Sequence, residues 1–228
     1  MDVRPQQLLS LVIEKYAATA EPVGSRVLVE SAGLDWSEAT VRNELRALEE
    51  AGYLTHPHTS AGRIPTLKGY QHYISILDLD NLELEKKESQ TLQNAAQAVG
   101  EYQQARKNVA KALVELSEET ILVAFSFDFI YYTGLSNLFQ KPDFTEQRLV
   151  ANISGVFDRC EEFIPKFFEE VEDEPKFFLG REHPFGEMLS VVSMRFGEKG
   201  ESLIALLGPQ RMDYKHNYEL MSKARELI

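Results

Sequence analysis

Apolar residues recur at helical spacing through the first 77 positions, and the period then changes. Leu8, Leu9, Val12, Ile13 and Tyr16 lie three or four apart and make one stripe on a helix opening at Pro5, because residues at that spacing share a face. After the break Glu21-Pro22-Val23-Gly24, Ser25 can cap a short helix through Ala32, with Val27, Leu28 and Ala32 as buried candidates and Gly33 as its stop. The turn Leu34-Asp35-Trp36 leads into a third helix, which Ser37 can cap and Gly52 can end in the left-handed conformation. Val41, Leu45 and Leu48 fall at i, i+4 and i+7 and form its buried face. Two short strands, Tyr53-Leu54-Thr55 and Arg63-Ile64, can pair around His56-Pro57-His58-Thr59-Ser60-Ala61-Gly62, with Pro65 closing the hairpin. Leu67, Tyr70, Tyr73, Ile74 and Leu77 mark one more amphipathic helix.

The charged run DLDNLELEKKE is the natural domain boundary, being poor in aromatics. Beyond it, Leu92, Ala95, Val99, Tyr102, Arg106, Val109, Leu113 and Leu116 alternate by three and four, a heptad-like seam with Arg106 as polar intruder and Gly100 as weak point. Self-pairing in a dimer and packing of one long helix on the second domain both fit that seam. From residue 121 the runs shorten. Residues 121–127, 176–179, 189–196 and 202–207 read as strands, the last two joined through Gly197-Glu198-Lys199-Gly200. Helical periodicity fills 147–170, and a last helix starts near Tyr214. The expected class is α+β, with domains at 1–80 and 119–228 joined by a helical linker at 81–118.

The outer face of the third helix changes the picture from fold to chemistry. Ala39, Asn43, Arg46 and Glu50 point away from its core, flanked by Thr40, Arg42 and Ala47. Short side chains let a backbone approach, and Asn and Arg beside them can read base edges in a DNA groove. Taken alone, such a face is that of a solvated amphipathic helix. With a preceding short helix and a following hairpin carrying a basic rim, it becomes a winged helix-turn-helix, whose wing lies along the phosphates.

A net charge of −12 argues against nucleic acid until it is divided. Residues 1–78 carry 7 Lys/Arg against 10 Asp/Glu, a balance of −3, and residues 79–228 carry 17 against 26, a balance of −9. Neither part is basic, so the local field decides. Arg42, Arg46, Arg63 and Lys68, with His56 and His58, lie where groove and wing fall, while the acidic remainder lowers non-specific affinity.

The runs AEPVGSRVLVE, SEATVRNELRALEEAGYL and HPHTSAGRIPTLKGYQHYI closely resemble the DNA-binding domain of the heat-inducible transcription repressor (HrcA) family. YYTGLSNLFQKPDF, FFLGREHPFGEM and LLGPQRMDY resemble that family's sensor-like domain. The resemblance implies an N-terminal winged helix-turn-helix and a C-terminal GAF-like α/β sensor-type domain. It implies repression of chaperone genes from an inverted-repeat operator in double-stranded DNA, bound as a homodimer and released under heat stress, with the chaperonin GroEL as a further partner. The DNA-binding set is Ser25, Arg26, Thr40, Arg42, Asn43, Arg46, Ala47, His58, Thr59, Ser60, Arg63 and Lys68. Two departures stand out, Trp36 where a smaller residue is expected and Glu38 where Pro is common. A larger one is length: usual members are about half as long again and carry a dimerisation insert in the sensor domain, which is missing here.

No P-loop, dinucleotide glycine pattern or G-x-S-x-G is present, so an enzyme is a poor reading and no cofactor is expected. His56-x-His58 is the one metal-like spacing, and it lacks a nearby Cys. Cys160 sits among Phe157, Phe163 and Ile164, where an inert buried thiol is expected. The chain lacks an apolar run of membrane-spanning length and a signal-like start, which points to the cytoplasm and away from membranes. The rival function is a winged-helix regulator with a small-molecule effector pocket lined by Phe125, Phe127, Phe129, Tyr131 and Tyr132, although aromatics alternating on a strand more often form core.

Overall fold

The computed structural model describes residues 2–33, 35–58, 61–97, 102–198 and 200–228. Leu34, Thr59, Ser60, Val99, Gly100 and Lys199, with the side chains of Ala32 and Tyr102, lie outside what is described, and the expectations attached to them are not taken further. The chain divides into two compact units, Met1–Leu77 and Asp78–Ile228.

In the first unit, α1 (Val3–Thr19) packs on α2 (Ser25–Ala32), α3 (Glu38–Glu50) and α4 (Leu67–Ser75). The stripe Leu8, Leu9, Val12 and Ile13 meets Leu28, Val41, Leu45, Leu48, Tyr70 and Tyr73 in one core. Ser37 caps α3 by accepting from the Thr40 N–H at 3.1 Å, and Gly52 follows the helix at φ 79°. The second helix departs from expectation twice. Its cap position is Gly24 with no side-chain bond, so Ser25 is the first helical residue and instead donates to Glu38 Oε1 at 3.2 Å. Val27, expected in the core, is 41% exposed.

The hairpin pairs β1 (Leu54–Thr55) with β2 (Ile64–Pro65), Leu54 opposite Pro65 and Thr55 opposite Ile64. Pro65 therefore lies inside the ladder and is buried, rather than closing it. Arg63 pairs with Val23, each accepting the other's N–H at 2.8 Å. Gly62 makes that approach possible, because a Cβ there would stand 2.5 Å from the Val23 carbonyl carbon.

The second unit is a single antiparallel sheet of β3 (Thr120–Ser126), β4 (Phe129–Thr133), β5 (Lys176–Leu179), β6 (Leu189–Phe196) and β7 (Ser202–Pro209), in the order β4-β3-β7-β6-β5. One face carries Leu122, Ala124, Val191, Leu203, Ala205 and Leu207 against α8 (Gln147–Phe157) and α9 (Cys160–Glu170), through Ile153, Phe157, Ile164 and Phe167. On the other side, α10 (Tyr214–Arg225) packs on β6 and α6 (Tyr102–Ser117) on β3. Burial on both faces is why these strands read as unbroken apolar runs.

Three expectations are corrected here. The seam is not one long helix: α5 (Lys86–Gln97) and α6 fold against each other, with Leu92, Val109 and Leu113 buried inside the unit. The 147–170 helix is two helices separated at Asp158-Arg159. β4 is an added strand, which returns along β3 after a tight turn at Phe127-Asp128. It leads through α7 (Leu135–Gln140) and a 3-10 turn at Pro142–Phe144 towards α8. Among the described residues no helix is long and apolar enough to cross a membrane.

Candidate nucleic-acid interface

The buried stripe of α3 forces its other face into solvent. Arg42, Asn43, Arg46 and Ala47 are exposed there and Thr40 is half-buried, its hydroxyl 2.9 Å from the capping Ser37 Oγ. The guanidinium groups are not bare. Arg42 pairs with Glu38 at 2.5 Å, Arg46 with Glu50 at 2.9 Å and, on α2, Arg26 with Glu30 at 2.8 Å, all four residues apart. Exposed pairs of this kind hold only weakly, being screened by solvent and salt, so another anion can displace the carboxylate. Glu38 also receives the Ser25 hydroxyl, and Trp36 lies under the Arg4 guanidinium at 5.1 Å. Both sequence departures thus make a local contact on this surface.

The hairpin residues are placed differently. His58 is exposed at the tip side. Arg63 is only 23% exposed and its Nη2 lies 2.7 Å from Glu49 Oε2, while the other oxygen of Glu49 meets His56 Nδ1. Lys68 donates to the Ala51 carbonyl at 2.7 Å and sits 4.3 Å over the Tyr53 ring. Its ammonium therefore closes the C-terminus of α3, where a cation opposes the helix dipole. The first unit brings Ser25, Arg26, Thr40, Arg42, Asn43, Arg46 and Ala47 onto exposed or half-exposed surface of α2 and α3, half-buries Arg63 against Glu49, and leaves Lys68 exposed with its ammonium on the Ala51 carbonyl. Glu49 was absent from the expected set. The signal was its position on the flank of the apolar arc, next to Leu48 and four residues after Leu45.

The family described as HrcA protein C terminal domain matches residues 76–217. The chain belongs to the HrcA family. A heat-inducible transcription repressor HrcA of Acetivibrio thermocellus is 41% identical over 125 residues, which cover 54% of this chain and 35% of that protein. Another of the same name from a Nocardioides species is 57% identical over 70 residues, covering 31% and 21%. The chain thus spans about a third or less of the HrcA relatives it matches. Those relatives are transcription repressors by name, not enzymes. A crystal structure of a hypothetical protein at 2.2 Å superposes with TM-score 0.77 at 17% identity, over 99% of this chain and 97% of that one, and so shares its fold.

The HrcA-like motifs of the second unit build a buried polar cluster rather than a cleft for a reactant. Lys141 of KPDF reaches Glu119 Oε1 at 2.5 Å, and Asp143 receives Arg211 of GPQRMDY with Nη2 at 2.6 Å. Gly208 stands against the Glu119 carboxylate, where a Cβ would approach to 2.6 Å. Burial raises the Glu119 pKa to about 7, against the lowering influence of Lys141 and Arg211. His183 of the GREHPFG run accepts from the Phe185 N–H through Nδ1 at 3.2 Å, which leaves Nε2 to donate to the Leu189 carbonyl at 3.0 Å. Burial lowers its pKa, so the ring stays neutral and pins that loop. Cys160 is buried and burial raises its thiol pKa, as an inert core thiol requires.

The strand aromatics do not converge on one pocket. Phe125 stacks on Phe129 at 5.1 Å, Phe127 meets Phe168 and Tyr132 meets Phe157. Lys107 of α6 lies over the Phe129 and Tyr131 rings. The three clefts described are lined by other residues.

Proposed function

We propose that this chain is a sequence-specific DNA-binding repressor of chaperone genes whose first unit is a winged helix-turn-helix and whose second is a GAF-like sensor-type domain. The observation that carries the reading is the outer face of α3, where Asn43, Arg46 and Arg42 stand exposed among small residues beside a two-stranded hairpin. Exposed Asn and Arg among small residues are the side chains that can approach and read base edges in a major groove. The five-stranded antiparallel sheet covered by helices supports the sensor-type assignment. In this reading α2 crosses the phosphates with Ser25 and Arg26, α3 enters the groove, and His58 with the hairpin tip follows the backbone. Thr59 and Ser60 belong to that tip by sequence.

A lone module of this size covers few base pairs, so two copies on an inverted repeat gain affinity by linkage without new contacts at either half-site. The working form is a homodimer on an inverted-repeat operator in the cytoplasm, released under heat stress, with GroEL restoring it. The test is titration of the full chain against the inverted repeat upstream of a chaperone operon, its half-site and a scrambled duplex. Cooperative, tighter binding to the full repeat is expected; equal binding to all three would remove the reading.

A further inference from the structure

Glu49 lies on α3 and uses both carboxylate oxygens on the hairpin, one on each leg. Oε1 meets His56 Nδ1, immediately after β1, and Oε2 meets Arg63 Nη2 at 2.7 Å, immediately before β2. Both legs are otherwise short, since the ladder has only two residues on each side. Two paired residues cannot hold a hairpin at a fixed angle by themselves. Arg63 is fixed from its backbone as well, through the two Val23 bonds that Gly62 permits. The guanidinium is largely buried, with its Nε shielded from solvent and without a hydrogen-bond partner, so removing Glu49 leaves a cation that must find another anion.

We infer that Glu49 is the positioning residue of the DNA interface: it sets the angle of the hairpin on the reading helix and withholds Arg63 from the phosphates. This rests on the DNA-binding reading above and adds to it a carboxylate that touches no DNA. Selectivity follows, because a hairpin held by an internal anion contributes shape to the interface, whereas a freed Arg63 contributes charge that every sequence satisfies equally.

The experiment uses the full chain and two duplexes, one selected by the wild type from a randomised pool and one of the same composition scrambled. Affinity for both is measured across a salt series for the wild type and Glu49→Gln, with thermal melting to establish that the variant folds. Two changes are expected together. The selected-over-scrambled ratio falls by roughly tenfold, the size of one lost charge-assisted bond. The slope of log affinity against log salt steepens by about 0.9, one additional phosphate contact. A residue that merely stabilised the fold would lower the melting temperature and leave the slope alone. Any folded Glu49→Gln chain that lacks either change overturns the inference. Should that variant not fold, Arg63→Gln takes its place, keeping the Val23 bridge: the ratio is expected to fall by a similar factor with no steeper slope, and an unchanged ratio overturns the inference. A wild type that selects no duplex brings down the DNA reading itself, and this inference with it.

Discussion

Replacing Glu119 by Gln should flatten the pH dependence of the second unit's stability. The carboxylate is 2% exposed, pairs with Lys141 through one oxygen only, and has its pKa raised to about 7 from an ordinary 4.5, burial outweighing the cations. A folded-state pKa above the unfolded one means that the folded form holds the proton more tightly. The associated stability is fully present below pH 4.5 and is lost as pH rises through 7. At about 1.4 kcal/mol per pKa unit, the wild type should lose roughly 2–3 kcal/mol relative to Glu119→Gln between about pH 5 and pH 8. His183 acts in the opposite sense, since its lowered pKa gives stability that is lost as pH falls, and it cancels in the comparison. Urea unfolding should be followed by the reactivity of Cys160, the only thiol and a core residue of this unit, against a free-thiol control at each pH. Trp36 emission reports the first unit in the same samples. Parallel pH profiles for the two chains would show that Glu119 stays ionised at pH 5 and that its pair with Lys141 outweighs burial.

Three further outcomes are expected. Arg46→Ala should cost about 1–3 kcal/mol on a selected duplex and relax sequence preference, since the proposed function gives it a base contact; equal losses on selected and scrambled duplexes in titration would contradict base reading. Gly62→Ala should destabilise the first unit by about 1–3 kcal/mol, because its Cβ would press on Pro22 and Val23 backbone, and thermal melting followed by Trp36 emission would detect it. Warmed and cooled chain should regain operator binding faster with GroEL and ATP than without; full spontaneous recovery, unimproved by the chaperonin, would mean that this chain is controlled differently.

Much of the fold was legible because period and capping agree at most positions. Val41, Leu45 and Leu48 with Ser37 and Gly52 specify α3 and its buried side from spacing alone. The seam from Leu92 to Leu116 was not decidable, since the same three-four alternation serves a coiled coil or a helix buried on a sheet, and only tertiary packing separates them. β4 was hidden because its turn is two residues inside an aromatic-rich run, where only Ser126 and Asp128 interrupt the apolar pattern. At the candidate interface, exposure of Asn43 and Arg46 followed from helix phase. The engagement of Arg63 did not, because its partner Glu49 comes from another element, and Glu119 likewise reads as an ordinary surface acid until Gly208 and Lys141 are seen to close over it.

The sheet of the second unit ends in two short strands, five residues in β4 and four in β5, and the β3–β4 ladder slips register between Ala124 and Ser126. A neighbouring chain seeking to extend the sheet meets only a brief row of free amides and carbonyls, beside an irregular stretch that turns the edge out of line. Templated growth needs a long, flat margin. The native edges are therefore poor templates for runaway stacking, even though Phe127 and Phe129 lie open at that same margin.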